Sequence, residues 1–112
     1  MNDGYSIVYS SEARKDLRDI YVYIASVLRV PKTAERLTEH IRQEIQSLDF
    51  MPSRYSLVEW EPWRSMGMHK VPVENFVIYY TVNHDSRTVC VIRIFYGGRS
   101  VENIGNEVPE KL

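Results

Sequence analysis

The sequence lacks the features on which several classes of protein depend. Its single cysteine, Cys90, has no partner for a disulfide within the chain, and the three histidines are too far apart for a metal motif. A Gly-rich phosphate loop and a local Ser/His/Asp signature are also missing. The sequence therefore predicts neither a cofactor nor a metal site.

Long apolar runs are missing as well. No stretch is long and apolar enough to cross a bilayer, and the N-terminus has no signal-peptide pattern. We therefore expect a cytoplasmic protein that does not interact with a membrane. The lone cysteine lies in an apolar strand pattern, where a thiol behaves as a small buried hydrophobe.

The sequence also has almost no excess of charge of either sign. The 112 residues carry a formal net charge of −1, so no overall positive field attracts nucleic acid, although a local basic patch remains compatible with this balance. Apolar residues make up 44% of the chain and charged residues 26%, which is typical of a globular protein with one core. Since this length suits one domain, we predict a single domain over residues 1–112.

Two stretches repeat apolar residues every three or four positions, as a helix with one face on a core does. The first follows Ser10 and Ser11, which favour helix N-termini. The second begins at Pro31, which suits a first helical turn. The apolar positions are Ala13, Leu17, Ile20, Ile24 and Leu28 in the first stretch, and Ala34, Leu37, Ile41, Ile45 and Leu48 in the second. The pattern predicts an N-terminal helical hairpin.

Strand patterns flank these helices. Residues 5–9 form a short apolar run, and residues 69–73 form another in which Pro72 indicates an edge or a bulge. Residues 76–82 and 89–96 are rich in Val, Ile, Phe and Tyr and are joined by a polar link, which predicts an antiparallel hairpin. The order is β-α-α-β-β-β. We predict an α+β fold in which the helical hairpin packs on one face of a small antiparallel sheet.

The last strand should divide its side chains between the two faces of the sheet. Simple alternation puts Cys90, Ile92 and Ile94 on one face, and it puts Val91, Arg93 and Phe95 on the other. An arginine is expensive to bury without a partner. We therefore expect one face to be core and the other, which carries Arg93, to be at least partly open.

A set of polar residues in the C-terminal half contains the candidate functional groups. Guanidinium groups bind phosphate oxygens in pairs, and a neighbouring His or Tyr can transfer a proton. The candidates for catalysis are His69, Lys70, Arg93, Tyr96 and Arg99, and the candidates for substrate binding are Arg54 and Arg64. The alternative interpretation is that these are ordinary surface residues and a tyrosine at the edge of the core.

Several segments in this order resemble the RelE/ParE toxins of bacterial type II toxin–antitoxin modules. They are YSIVYSSEARKDLRDIYVYI at the start, IRQEIQSLDFMPSR at the end of the second helix, and FVIYYTV with VCVIRIFYGGRS in the closing hairpin. The resemblance implies the fold predicted above. It also implies a toxin that inhibits bacterial growth and is neutralised by a cognate antitoxin.

The family resemblance leaves the target open. RelE-like toxins enter the ribosome and cut mRNA as metal-independent endoribonucleases, whereas ParE-like toxins block DNA gyrase without cleaving RNA. By position, Arg93 and Arg99 match functional arginines of RelE-like toxins, Tyr96 matches a His or Tyr, and His69-Lys70 lies where an Arg often precedes the hairpin.

The sequence also departs from the RelE-like pattern. RelE-like nucleases usually carry a further Tyr or a His-Tyr pair near the C-terminus, and the tail VENIGNEVPEKL has neither. The chain is slightly acidic, and its long helical hairpin is more similar to ParE. A third hypothesis is therefore a catalytically inactive module that retains the toxin fold and binds a partner.

Overall fold

The computed structural model describes residues 4–97, in which two helices pack against a four-stranded sheet. The strands are β1 (Ser6–Tyr9), β2 (Met68–Val73), β3 (Phe76–Asn83) and β4 (Thr88–Tyr96), and the helices are α1 (Ser11–Val22) and α2 (Pro31–Gln46). A π-helical turn at Tyr23–Val27 extends α1, and two short 3₁₀ turns, Ser47–Asp49 and Pro52–Arg54, follow α2. The predicted element order is confirmed.

Each helix begins where its sequence predicts. The hydroxyl of Ser10 accepts a hydrogen bond from the backbone N–H of Ala13, which satisfies one of the free donors at the start of α1. Pro31 occupies the first turn of α2, where no N–H is needed. The predicted apolar stripe of α2 is fully buried, and that of α1 faces the core except for Leu28, which is 53% exposed.

The sheet has the strand order β1-β4-β3-β2 and is mixed rather than wholly antiparallel. Strands β2, β3 and β4 pair antiparallel as predicted, and β1 pairs with β4 in parallel, with Ile7 opposite Val89. Because β1 and β4 are more than 75 residues apart in the chain, no local pattern indicates this pairing. The α+β class with both helices on one face is confirmed.

A β-bulge changes the predicted alternation in β4. Tyr80 pairs with Val91 and Tyr79 pairs with Arg93, so Ile92 is an extra residue on this strand. Val91 and Ile94 therefore both pack into the core beneath the helices, while Ile92 and Phe95 pack on the other face. The expectation that Ile94 and Ile92 share a face, opposite Val91, was wrong because one inserted residue reverses the sides that follow.

The face of the sheet opposite the helices is partly covered. Residues 58–68 fold over it and build a second apolar cluster, in which Trp63 is 4% exposed. The other buried members are Val58, Met68, Tyr79 and Phe95. The prediction of a partly open face holds only beyond this cluster, near Thr81 and Ile92, where the sheet borders a shallow cavity.

Two negative findings apply to residues 4–97 alone. No helix in that range is both long and apolar enough to span a bilayer. The same range contains no group of three or more His, Cys, Asp or Glu side chains arranged to hold a metal ion.

Candidate functional site

The predicted site residues do not converge on one point. Lys70 on β2 pairs with Tyr79 on β3, which in turn pairs with Arg93 on β4, so these three residues form a row across the sheet. His69 and Tyr96 belong to the opposite, helix-facing side. Arg99 lies outside the described residues.

Arg93 is held by an acidic partner from α1. Its Nε and Nη2 atoms donate to the two carboxylate oxygens of Asp16 at 2.8 and 3.0 Å, and its guanidinium lies 4.4 Å from the ring centre of Phe95. Arg93 is only 8% exposed. A bidentate pair of this kind compensates the cost of burying the charge. The pair with Asp16 therefore explains how Arg93 can be buried in an otherwise apolar strand.

Lys70 lies beside aromatic side chains. Its ammonium is 6.0 Å from the ring centre of Trp60, which meets the Tyr79 ring edge to face at 6.3 Å. Burial raises the pKa of the Tyr79 phenol to about 12, so this group keeps its proton at neutral pH. Lys70 therefore supplies the partly exposed positive charge of this row.

His69 lies on the other side of the same strand. Its Nδ1 atom is 2.8 Å from the carbonyl oxygen of Tyr55, which can only accept, so Nδ1 carries the proton. The ring stacks on Tyr80, with centroids 5.2 Å apart. Successive residues of a strand point to opposite faces, and His69 and Lys70 are therefore separated by the sheet itself.

Tyr96, at the end of β4, borders a groove beneath the helical hairpin. The groove has a volume of about 390 Å³ and an almost entirely apolar lining, which includes Leu28, Leu37 and Phe76. Tyr96 is 56% exposed and meets Phe76 edge to face at 5.6 Å. Its surroundings suit apolar contact more than proton transfer to a phosphate.

Arg54 and Arg64 bind backbone carbonyls. The Nη1 atom of Arg54 donates to the carbonyl of Phe50 at 2.5 Å, and its Nη2 atom donates to the hydroxyl of Ser47 at 3.1 Å. The Nη1 atom of Arg64 donates to the carbonyl of Val58 at 3.1 Å. Arg54 thus holds the chain just after α2, a role that basic residues often take near helix C-termini, and Arg64 holds the segment that folds over the sheet.

Two features escaped the sequence analysis. One is Asp16, which lies in the segment ARKDL of α1. Nothing local in the sequence indicates that it pairs with Arg93. The other is an exposed apolar surface at the turn between the helices, which we call the hairpin-tip surface. It consists of Val22, Tyr23, Val27, Leu28 and Val30, each 42–61% exposed. In the sequence, this surface is indicated by apolar residues that, except for Leu28, lie outside the regular apolar stripe of α1.

Solved structures of toxins share this fold. The chain is similar to a protein of the chromosomal ParDE toxin–antitoxin system from P. aeruginosa, with a TM-score of 0.68 and 20% identity, over 82% of this chain and 95% of that one. It is also similar to a mutant E. coli toxin RelE in the free state, with a TM-score of 0.64 and 13% identity, over 97% and 98% of the two chains.

A third similar structure belongs to the RelBE2 toxin–antitoxin complex of Mycobacterium tuberculosis. Its TM-score is 0.62 at 17% identity, over 83% of this chain and 91% of that one. A comparison with curated proteins found no match. The family model for the ParE toxin of the type II toxin–antitoxin system parDE matches residues 7–101, and the chain therefore belongs to this toxin family.

Proposed function

We propose that this toxin stops bacterial growth by binding DNA gyrase, without cleaving RNA. The observation that carries the proposal is the separation of the candidate groups. His69 and Tyr96 lie on the helix-facing side of the sheet, whereas Lys70 and Arg93 lie in the row on the other side. Membership of the ParE family supports the same target, since the resemblance associates ParE-like toxins with gyrase.

RNA cleavage requires these groups to act on one phosphate. The base must reach the ribose hydroxyl within hydrogen-bond distance while cations stabilise the charge that develops at the phosphorus. A base and a cation on opposite faces of a sheet cannot both do so. In addition, the Arg93 charge is already compensated by the carboxylate of Asp16. A surface that binds a protein target needs no such convergence.

The second candidate function is ribosome-dependent mRNA cleavage. One observation favours it: the partly exposed Lys70 ammonium lies 6.0 Å from the ring centre of the partly exposed Trp60, and a cation beside an aromatic ring is an arrangement that binds single-stranded RNA. For this candidate, the catalytic roles of His69, Lys70, Arg93, Tyr96 and Arg99 remain predictions.

Neutralisation by a cognate antitoxin is the other half of the proposal. The hairpin-tip surface continues into the apolar groove beside Leu28 and Tyr96, and together they suit the apolar face of a partner helix. The edge of β2 offers less room for an added antitoxin strand, because backbone hydrogen bonds already join Ser56 to Lys70 and Val58 to Met68 there. We also propose that a strand of the antitoxin adds to the strand edge within residues 69–73, at the end that these backbone bonds leave uncovered.

The target is tested with purified toxin in two parallel assays. We expect the toxin to inhibit supercoiling by gyrase and to leave translation and mRNA ends unchanged in a reconstituted ribosomal system. Lys70→Ala serves as a matched variant. If the toxin cleaves RNA, loss of this RNA-binding cation should abolish cleavage. If the toxin binds gyrase through a broad protein interface, the same change should weaken inhibition only modestly. Cleaved mRNA with unaffected supercoiling would reject gyrase as the target.

The antitoxin surface is tested by copurification with the product of an adjacent small reading frame. Leu28→Glu places a charge on the hairpin-tip surface and should abolish copurification, because an unpaired charge cannot be buried in an apolar contact. Lys32→Glu, an exposed change on the neighbouring turn, is the control and should copurify normally. Equal recovery of both variants would rule out this docking surface.

A further inference from the structure

We propose that the cleft between the two helices binds a nucleotide, with arginine side chains holding its phosphates. The cleft lies between α1 and α2, beside Tyr9, the last residue of β1. Its volume is about 840 Å³, and small-molecule sites in proteins range from about 300 to 1,000 Å³. A cleft of this volume therefore has room for a ligand of nucleotide size.

Three arginine side chains line this cleft without a protein partner. Arg14 and Arg18 lie one turn apart on α1 and so share one face of the helix, while Arg42 belongs to α2. All three residues are exposed, and within residues 4–97 none of their guanidinium groups forms an ion pair or a hydrogen bond. Because a guanidinium binds two phosphate oxygens at once, this cluster suits the phosphates of a ligand.

Two tyrosine rings and an inner, buried wall complete the cleft. Tyr9 and Tyr21 are partly exposed, and neither phenol has a hydrogen-bond partner in the part of the chain that the structure describes. Burial raises the pKa of the Tyr9 phenol, and the charge of Arg42 opposes this rise, which places Arg42 near the β1 end of the cleft. Leu17 and Thr38, both buried, also line the cleft. The rings offer a surface on which a base can stack.

Two carboxylates on the α2 wall favour a nucleotide over a simple anion. Glu35 and Glu39 lie one turn apart on α2 and line the same cleft as the arginines. They reduce its positive charge, and they repel an anion that has no hydrogen-bond donors of its own. A nucleotide carries ribose hydroxyls and a base amino group, which can donate to these carboxylates. The mixed lining therefore fits a nucleotide better than it fits inorganic phosphate.

The cleft is separate from the surfaces that we assign to the antitoxin. It borders the side of α1 that carries Arg14 and Arg18, whereas the apolar groove borders the side that carries Asp19 and Tyr23. A nucleotide between the helices thus leaves the groove and the hairpin-tip surface uncovered. Binding of the nucleotide depends on neither gyrase nor the antitoxin.

The test is isothermal titration calorimetry of purified full-length toxin with ATP, adenosine and pyrophosphate. We expect a saturable isotherm for ATP. Adenosine and pyrophosphate should each bind about tenfold more weakly or worse, because one lacks the phosphates and the other lacks the base and the ribose. Added salt should weaken ATP binding, since the arginines are exposed to solvent.

Substitutions place the binding site. Arg14→Gln and Arg42→Gln should each weaken ATP binding about tenfold, because each removes charged hydrogen bonds to phosphate. Lys15→Gln is the matched control: it removes the same charge from α1, but Lys15 pairs with Asp19 and does not border the cleft. This control should bind ATP as the wild type does. If Arg42→Gln does not fold, Arg42→Lys replaces it and should also weaken binding, because lysine has no fork.

Four results would overturn the inference. They are the absence of saturable ATP binding at concentrations up to about 10 mM, pyrophosphate binding as tight as that of ATP, the same loss in Lys15→Gln as in Arg14→Gln, and wild-type affinity in a folded variant of Arg42. Displacement of ATP by a short single-stranded RNA that binds more tightly would assign the cleft to RNA and reject a free nucleotide. Failure of the gyrase proposal is a separate outcome, because supercoiling plays no part in these titrations.

Discussion

His69 lies flat against Tyr80, with the two ring centroids 5.2 Å apart and the ring planes 16° from parallel. The same two residues tie the sheet to the chain after α2, since His69 bonds to the carbonyl of Tyr55 and Tyr80 bonds to that of Pro52. The histidine that the sequence suggested as a proton carrier is thus part of the packing between β2, β3 and residues 52–55.

The proton-transfer candidates should be dispensable for toxicity. We expect His69→Gln and Tyr96→Phe to arrest growth as the wild type does, because binding gyrase moves no proton. The measurement is colony formation after induced expression, with equal protein levels checked by immunoblot. A loss of toxicity in either folded variant, together with slower mRNA cleavage, would favour the nuclease instead.

Removing the hydroxyl of Tyr80 should destabilise the fold. This phenol donates a 2.6 Å hydrogen bond to the carbonyl of the buried Pro52, and burial raises its pKa above the ordinary value. Tyr80→Phe leaves that carbonyl without its donor, and we expect a loss of about 1–3 kcal/mol in the free energy of unfolding. Urea denaturation measures it. Tyr23→Phe, at an exposed ring, is the control and should change little.

Truncation in the stripe of α2 should be more costly still. Ile41 is fully buried between the helices and the sheet. Ile41→Ala removes three carbons and leaves a cavity, so we expect a loss of about 2–5 kcal/mol in unfolding free energy. Arg42→Ala, on the exposed side of the same helix, provides the comparison. A loss below about half a kcal/mol for Ile41→Ala would contradict the assignment of this stripe to the core.

Acid should weaken the contact between α2 and the turn before β3. Hydrogen bonds from Arg36 and His40 lower the pKa of the Glu74 carboxyl to about 2. Because the pKa is lower in the folded state, this carboxylate stabilises the fold above its ordinary pKa of about 4.5, and the contribution is lost as the pH falls towards 2.

The measurement is the thermal midpoint of wild type and Glu74→Gln between pH 7 and pH 2. We expect the two proteins to differ at neutral pH and to converge in the acid range. A further series in high salt should reduce the difference, since these groups are exposed and screening weakens exposed ion pairs. A constant difference across the whole pH range would show that the carboxylate charge is not the cause.

Local sequence patterns determined the elements of this protein. The spacing of apolar residues predicted both helices, because a helix repeats every 3.6 residues whatever it packs against. Ser10 and Pro31 marked the two helix starts, and the β-branched runs predicted the closing hairpin, whose strands are adjacent in the chain. The order of these segments was also sufficient to indicate the family.

Tertiary structure alone decided which residues meet. The parallel pairing of β1 with β4, the bulge at Ile92 and the contact between Asp16 and Arg93 each join segments that are remote in the chain. Such contacts depend on the packing of the whole core, and the bulge shifts the faces of β4 by one residue in a way that alternation cannot predict. Strand alternation alone places the neighbours His69 and Lys70 on opposite faces of the sheet, but only the packing decides that the helices cover the face of His69 and that residues 58–68 cover the other.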